Sequence, residues 1–302
     1  LKKEIWDESH ILDQTDKVFI VTGPTSGLGK ETSIVLARKN AIVIMAARDL
    51  KKAESVKKEI LNENKNAKID IQELDLCSLE SINSFTETIN KKYKALDVLI
   101  NNAGIMACPY SKTKDGFEIQ MGTNHLGHFA LTGLLLPLIK KTENSRIVNV
   151  SSVAHKSGNI DFEDLNWEKR KYKSWRAYGD SKLANLYFTY ELSRKLKLNK
   201  ANLKVLAAHP GWTTTELQRH SGGANFMNIF FGQKVKVGAL GGLRAATDPN
   251  AHSDDYYGSP SFGEMKGHPV LLKSNALSYN KDNAKKLWQL SEELTSVSYA
   301  ID

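Results

Sequence analysis

Apolar runs and amphipathic stretches alternate along this chain. Lys17–Thr22 (KVFIVT), Ala41–Ala46 (AIVIMA), Ile69–Leu74, Leu96–Asn101 (LDVLIN), Arg146–Val150 (RIVNV) and Leu203–Ala208 (LKVLAA) read as six strands. Their apolar residues stand in unbroken rows rather than in alternation, the pattern of strands covered on both faces. Between them, apolar residues recur at helical spacing over Leu28–Lys39, Leu50–Asn64, Leu79–Tyr93, about Gly116 to Lys141, and about Trp175 to Leu196. Strand and helix in this order predict an α/β fold, a doubly wound parallel sheet with helices on both faces. After the sixth strand the pattern loosens. A Gly-punctuated stretch holds Phe226, Met227, Ile229, Phe230 and Phe231, helices are expected near Val235–Ala246 and Lys281–Leu294, and a seventh strand falls within Tyr256–Met265.

No linker or repeat divides the pattern, so residues 1–302 are expected to form a single domain, with 1–16 as an N-terminal extension and about 213–232 as a substrate lid. Composition narrows the class. The 41% hydrophobic content supplies a core and excludes disordered and collagen-like chains. Cys77 and Cys108 cannot build a disulfide framework, so a reducing, cytoplasmic setting is expected. The most apolar run, Leu131–Ile139, is short and interrupted by Pro137, well below the roughly 20 residues of a spanning helix. The opening LKKEIWDESH has no apolar segment of the secretory kind. The net charge of +8 comes from lysines scattered along helices and reads as solvated faces, with no nucleic-acid motif beside it.

Candidate chemistry begins where the first strand meets the first helix, in Thr22-Gly23-Pro24-Thr25-Ser26-Gly27-Leu28-Gly29. Glycines allow a tight turn and a close approach of backbone to a pyrophosphate, and the helix start offers free N–H groups. Tyr178 and Lys182 stand four apart on a predicted helix, so they share a face. A neighbouring ammonium is expected to lower the phenol pKa and let Tyr178 exchange a proton near neutrality. Ser151 and Ser152 end the fifth strand, and alternation sends only one of them to the site. His125 and His128 are spaced i, i+3 with no third ligand in reach by spacing, so no metal is expected. They, His155 and His209 read as packing residues.

The TGxxxGxG loop, Asn101-Asn102-Ala103-Gly104, the Ser pair and Tyr178-Gly179-Asp180-Ser181-Lys182 fall in the order of a short-chain dehydrogenase/reductase, and the chain resembles that superfamily over nearly its whole length. NHLGHF at Asn124–Phe129, NVSSVAH at Asn149–His155 and HPGWTTTEL at His209–Leu217 resemble its retinol-dehydrogenase-like branch. The resemblance implies a Rossmann sheet of about seven strands in order 3-2-1-4-5-6-7. It implies Asn124, Ser152, Tyr178 and Lys182 as catalytic residues: Ser152 polarises the carbonyl, Asn124 holds a water in the proton relay, and Lys182 also holds the nicotinamide ribose. Ser151 is then left as a strand-end cap.

For the cofactor, the resemblance implies Gly23, Thr25, Ser26, Gly27, Leu28 and Gly29 at the pyrophosphate, Asp75 and Leu76 at the adenine, and Asn102, Ala103 and Gly104 along the ribose face. Pro210, Gly211, Thr213 and Thr215 are placed near the carboxamide and pyrophosphate. Arg48, where an acid would bind both ribose hydroxyls, favours NADP(H) over NAD(H), with Lys30 adding charge. The expected activity is hydride transfer between nicotinamide and a bulky apolar aldehyde, ketone or retinoid-like alcohol. A non-catalytic dinucleotide-binding regulator is the alternative; such proteins usually lose the Tyr or Lys, and both are present. A homodimer through the helices bearing Asn124 and Tyr178 is expected by analogy. Pro24 departs from the loop pattern, and Glu163–Trp175 reads as either a solvated loop or one wall of the substrate entrance.

Overall fold

A computed structural model of the chain describes residues 5–199, 201–213 and 232–301. Its centre is one eight-stranded sheet in the order β3-β2-β1-β4-β5-β6-β7-β8. The strands are β1 (Val18–Thr22), β2 (Ile42–Ala47), β3 (Lys68–Glu73), β4 (Val98–Asn101), β5 (Ser145–Val150), β6 (Leu203–Ala208), β7 (Tyr256–Gly258) and β8 (Val270–Leu272). All neighbours pair in parallel except β7 and β8. The eighth strand was not anticipated: three residues are too few to show a period. The expected seventh strand occupies only the first three residues of its window.

Alternation along the strands builds a core on each side of the sheet. Phe19, Val21, Val43 and Met45 face one way, with residues of α1 (Gly27–Arg38), α2 (Leu50–Glu63) and α7 (Val235–Thr247). Ile20, Ile44, Leu99 and Ile147 face the other, with α3 (Leu79–Lys92), α5 (Gly127–Ile139), α6 (Ser174–Leu198) and α8 (Lys281–Thr295). Lateral helices bury a stripe; in α2 it is Ala53, Val56 and Ile60, while the lysines between them face solvent. Asp49 caps α2 by accepting from the Lys52 N–H, and Ser78 caps α3 by accepting from Ser81.

The helix expected over Gly116–Lys141 is in fact broken. A single turn, α4 (Ile119–Met121), runs into a π-helical turn at Gly122–Leu126 and only then into α5. Contact geometry supplies the reason. A Cβ on Gly122 would stand 2.4 Å from Thr113, and one on Gly127 would stand 2.6 Å from the Leu76 carbonyl. Gly122 lets this segment press against Thr113 and Gly127 lets it press against Leu76, and the widened turn between them carries Asn124.

The segment taken as an N-terminal extension packs into the body over its described part. Trp6 and Ile11 are buried in the α1 side of the core, and the Trp6 carbonyl meets His268 at 3.0 Å. At the other end, α8 and the residues after it lie against α5 and α6. Tyr299 and Trp288 pack around Phe129 and Phe188, and the Tyr299 hydroxyl donates to the Phe129 carbonyl at 2.6 Å.

Candidate active site

Parallel strands end in loops at their carboxyl edge, and the cavity lies there. It has a volume of about 800 Å³ and reaches from the turn after β1, past the ends of β2 and β3, to the face of α6. At one side, Gly23 and Gly27 adopt left-handed φ values of 66° and 51°, which glycine takes at no steric cost. A Cβ on Gly29 would fall 2.2 Å from the Gly23 carbonyl. Ser26 is the N-cap of α1, with no side-chain cap bond, so the N–H groups of the first turn are open to an anion. Thr25, Ser26, Gly27, Leu28 and Gly29 all line the cavity, whereas Pro24 is buried beside it and does not.

The Thr22 hydroxyl braces this turn. It accepts from the N–H groups of Asn102 and Ala103, both at 2.9 Å, and lies 3.0 Å from His128 Nε2. His128 Nδ1 faces the Asn124 carbonyl at 3.0 Å, so Nδ1 carries the proton and Nε2 accepts. Burial lowers the His128 pKa to about 4, which keeps this neutral form. His125 points the other way, to Ser291 at 2.9 Å, so the two imidazoles do not converge.

At the end of β2, Arg48 and Lys52 both line the cavity. Asp49 is engaged in capping α2, and Lys30 is paired with Glu59 at 2.7 Å, so the charge expected from Lys30 is partly spent elsewhere. Lys52 was missed as a site residue because in the sequence it is one more lysine on a solvated helix; its position one turn after Arg48 was the available signal. Asp75, Leu76, Asn102, Ala103 and Gly104 line the middle of the cavity. Asp75 accepts from the Cys77 N–H at 3.0 Å, and the Asn102 amide donates to the Thr22 carbonyl at 2.8 Å.

The far end holds Ser152, Tyr178 and Lys182. Both serines line the cavity, where alternation was expected to send only one, but their hydroxyls take different partners. Ser151 is no strand-end cap: its hydroxyl donates to the Lys182 carbonyl at 2.8 Å and ties β5 to α6. Ser152 is the capping residue, accepting from Ala154 N at the start of the 3-10 turn Val153–Ser157, and its hydroxyl also interacts with the Tyr178 phenol. Tyr178 runs against the expected direction. Burial pushes its pKa up to about 12, outweighing the Ser152 hydrogen bond, so the side chain is a neutral phenol. Lys182 Nζ lies 5.7 Å from the Tyr178 ring centre and donates to the Val150 carbonyl at 3.2 Å. Burial lowers its pKa to about 8.

Asn124 does not open onto the cavity. Its side-chain oxygen accepts from Ile105 N at 2.8 Å, and its amide donates to Ile105 O and the Ser181 hydroxyl, both at 2.9 Å. It therefore joins the chain after β4 to α6 just beside Lys182. Pro210, Gly211 and Thr213 close the cavity on the β6 side, with Thr213 donating to the Pro210 carbonyl at 2.8 Å. Thr215 and the apolar cluster from Phe226 to Phe231, expected as a lid, lie outside the described residues. Of the Glu163–Trp175 stretch only Trp175 reaches the cavity lining. Met106 and Met265 also line it with no local signal, because loops far apart in sequence bring them together; Trp212, between Gly211 and Thr213 in HPGWTTTEL, lines it too. His155 and His209 are buried braces: His155 Nδ1 meets the Ser152 carbonyl at 2.6 Å, and His209 Nδ1 accepts from Gly211 N at 3.1 Å.

With a glycine-lined helix start, a parallel sheet and a Tyr–Lys pair at its carboxyl edge, the chain belongs to the short-chain dehydrogenase family, whose model matches residues 17–224. Within it the chain falls in the retinol-dehydrogenase-like branch. It is similar to human retinol dehydrogenase 13, 49% identical over 218 residues, or 72% of this chain and 65% of that enzyme, so the match spans just under two thirds of the relative's length. Among solved structures it resembles an uncharacterised protein from Mycobacterium paratuberculosis, with 41% identity, a TM-score of 0.83 and coverage of 98% of this chain and 99% of that one. A short-chain dehydrogenase from Shigella flexneri complexed with NADP is 26% identical with a TM-score of 0.55, over 72% of this chain and 90% of that one. Among the described residues no helix is long and apolar enough to cross a membrane, and no group of three or more His, Cys, Asp or Glu could hold a metal ion.

Proposed function

We propose that the protein is an NADP(H)-dependent oxidoreductase that interconverts an apolar carbonyl compound and its alcohol, with Tyr178 as the proton-exchanging residue. The observation that carries this reading is the meeting of Ser152, Tyr178 and Lys182 at one end of a cavity whose other end is a glycine-lined helix start. The cavity fits a dinucleotide in kind: it has an anion cradle where side chains are sterically excluded, and two cations where a 2′-phosphate would be recognised. Bound there, the cofactor supplies or accepts the hydride.

The residues supply the rest. Ser152 offers a hydroxyl to the substrate oxygen. Tyr178, held neutral by burial, gives its proton to that oxygen when a carbonyl is reduced and takes one back when an alcohol is oxidised. Lys182, as an ammonium below about pH 8, favours the phenolate left behind. Asn124 fixes the strand-end loop against α6 and so holds the spacing between Ile105 and Ser181 beside this pair. Arg48 and Lys52 favour NADP(H) over NAD(H); Asp49, which also lines the cavity and lies 4.0 Å from Lys52, is engaged as a helix cap. The Shigella flexneri relative complexed with NADP supports the same preference.

The test is NADPH oxidation followed at 340 nm with a panel of aldehydes, ketones and retinoids. Turnover of at least one apolar member, with NADH clearly poorer, is the expected result. Binding of NADPH with no turnover of any member would leave only a cofactor-binding role.

A further inference from the structure

We infer that Trp175 is a specificity-determining residue, a fixed aromatic wall that selects substrates carrying a flat π-system next to the reacting carbonyl. The inference rests on the reading above, since it names what the space beside Tyr178 accepts.

Trp175 lies in the first turn of α6, three residues before Tyr178, so both project from one side of the helix. Its indole stands at 80° to the Tyr178 ring with centres 6.2 Å apart, an edge-to-face arrangement. The indole lines the cavity and is still 44% exposed, although tryptophan is on average a highly buried residue. A large apolar ring held half open at a cavity mouth is a contact surface rather than a core element.

The turn beneath the ring is also held in place. On one side the Gln120 amide donates to the Ser174 carbonyl at 2.9 Å. On the other, Arg176 donates to the Asn159 carbonyl at 3.0 Å and pairs with buried Asp180 at 3.1 Å. Asp180 in turn accepts from Asn159 N at 2.8 Å. The helix turn that carries Trp175 is thus anchored on either side, and the edge-to-face contact with Tyr178 orients the indole. Met106, Trp212 and Met265, soft and apolar, complete the lining of the cavity. A carbonyl oxygen presented to Ser152 and Tyr178 brings its adjoining group beside this wall, and aromatic contact adds to simple burial there.

The experiment compares kcat/KM for benzaldehyde and for cyclohexanecarboxaldehyde, which match in ring size but differ in flatness and π-character, using NADPH and the whole chain. The unmodified protein should favour the aromatic aldehyde. Trp175→Ala should lower the aromatic-to-saturated ratio by about three- to tenfold, while Trp175→Phe, which keeps a ring, should hold it within about twofold. Melting temperature separates loss of fold from loss of selectivity, and the ratio itself is insensitive to the fraction of folded protein. A ratio that Trp175→Ala leaves unchanged overturns the inference and spares the hydride-transfer reading. No oxidation of NADPH by the unmodified protein with either aldehyde, or with any member of the wider panel, overturns both.

Discussion

Tyr178 and Lys182 leave water together on one face of α6, and burial moves the two groups in opposite directions. The phenol becomes a weaker acid and the ammonium a stronger one. Lys182 is charged below about pH 8 and neutral above it. If its charge steadies the phenolate formed as Tyr178 gives up its proton, kcat/KM for carbonyl reduction should fall as pH rises through about 8, since kcat/KM reports the free enzyme. Lys182→Arg, which stays charged, should move that descending limb upward. A profile flat through this range would contradict the role. At the other end of the cavity, Arg48→Ala and Lys52→Ala should each raise the KM for NADPH by about ten- to hundredfold, the range of hydrogen bonds to charged groups, and change that for NADH little. Equal effects on both cofactors would show that neither cation meets a 2′-phosphate. Arg48 could be read from its place after the second strand. Lys52 carries one sign, its place one turn after Arg48; nothing else separates it from Lys51, Lys57 or Lys58 until α2 is folded against the cavity. A lysine four residues away predicts a lowered Tyr178 pKa, whereas the burial that raises it comes from residues distant along the chain.

The strands and the lateral helices were legible as elements because each carries its own period. The break at Gly122–Leu126 was not read, although its signals were present: Gly122, Asn124 and Gly127 are poor helix residues within one short stretch. Gly127 presses its Cα side onto the carbonyl of Leu76, which lines the cavity beside Asp75 and Cys77. Gly127→Ala would put a methyl 2.6 Å from that oxygen. The expected cost is about 1–3 kcal/mol, as for other overpacked sites, seen as a lower melting temperature, together with weaker NADPH binding as Leu76 is displaced. Unaltered stability and affinity would show that the segment relaxes freely. β8 stayed hidden for a different reason: Val270–Leu272 pairs antiparallel at a sheet edge, and its three residues carry no pattern that a turn would lack.

Across the whole molecule, the face by which α5 and its neighbour α6 were expected to pair with a second copy carries α8 and the residues that follow it. The Tyr299 hydroxyl reaches the Phe129 carbonyl, Lys140 reaches the carbonyls of Ala300 and Ile301, and a Cβ on Gly133 would strike Val297 and Tyr299. Pairing through this face would require those contacts to open. Sedimentation equilibrium at micromolar concentration should therefore give the mass of one chain, and a two-chain mass would contradict that expectation. The sequence could show a C-terminal helix but not which surface it covers, since the aromatic cluster of Phe129, Phe188, Trp288 and Tyr299 joins segments far apart in the chain.

The central claim is that this cavity moves hydride to a carbonyl carbon while Tyr178 supplies the proton. Its most direct test uses NADPH deuterated at the transferable position of the nicotinamide, an apolar aldehyde, and mass spectrometry of the alcohol formed by the protein and by Tyr178→Phe. The expected product is an alcohol carrying one deuterium, formed about 10²–10⁴-fold more slowly by the variant, with NADPH affinity little changed. Alcohol free of deuterium, or a variant that forms it at the normal rate, would contradict the account.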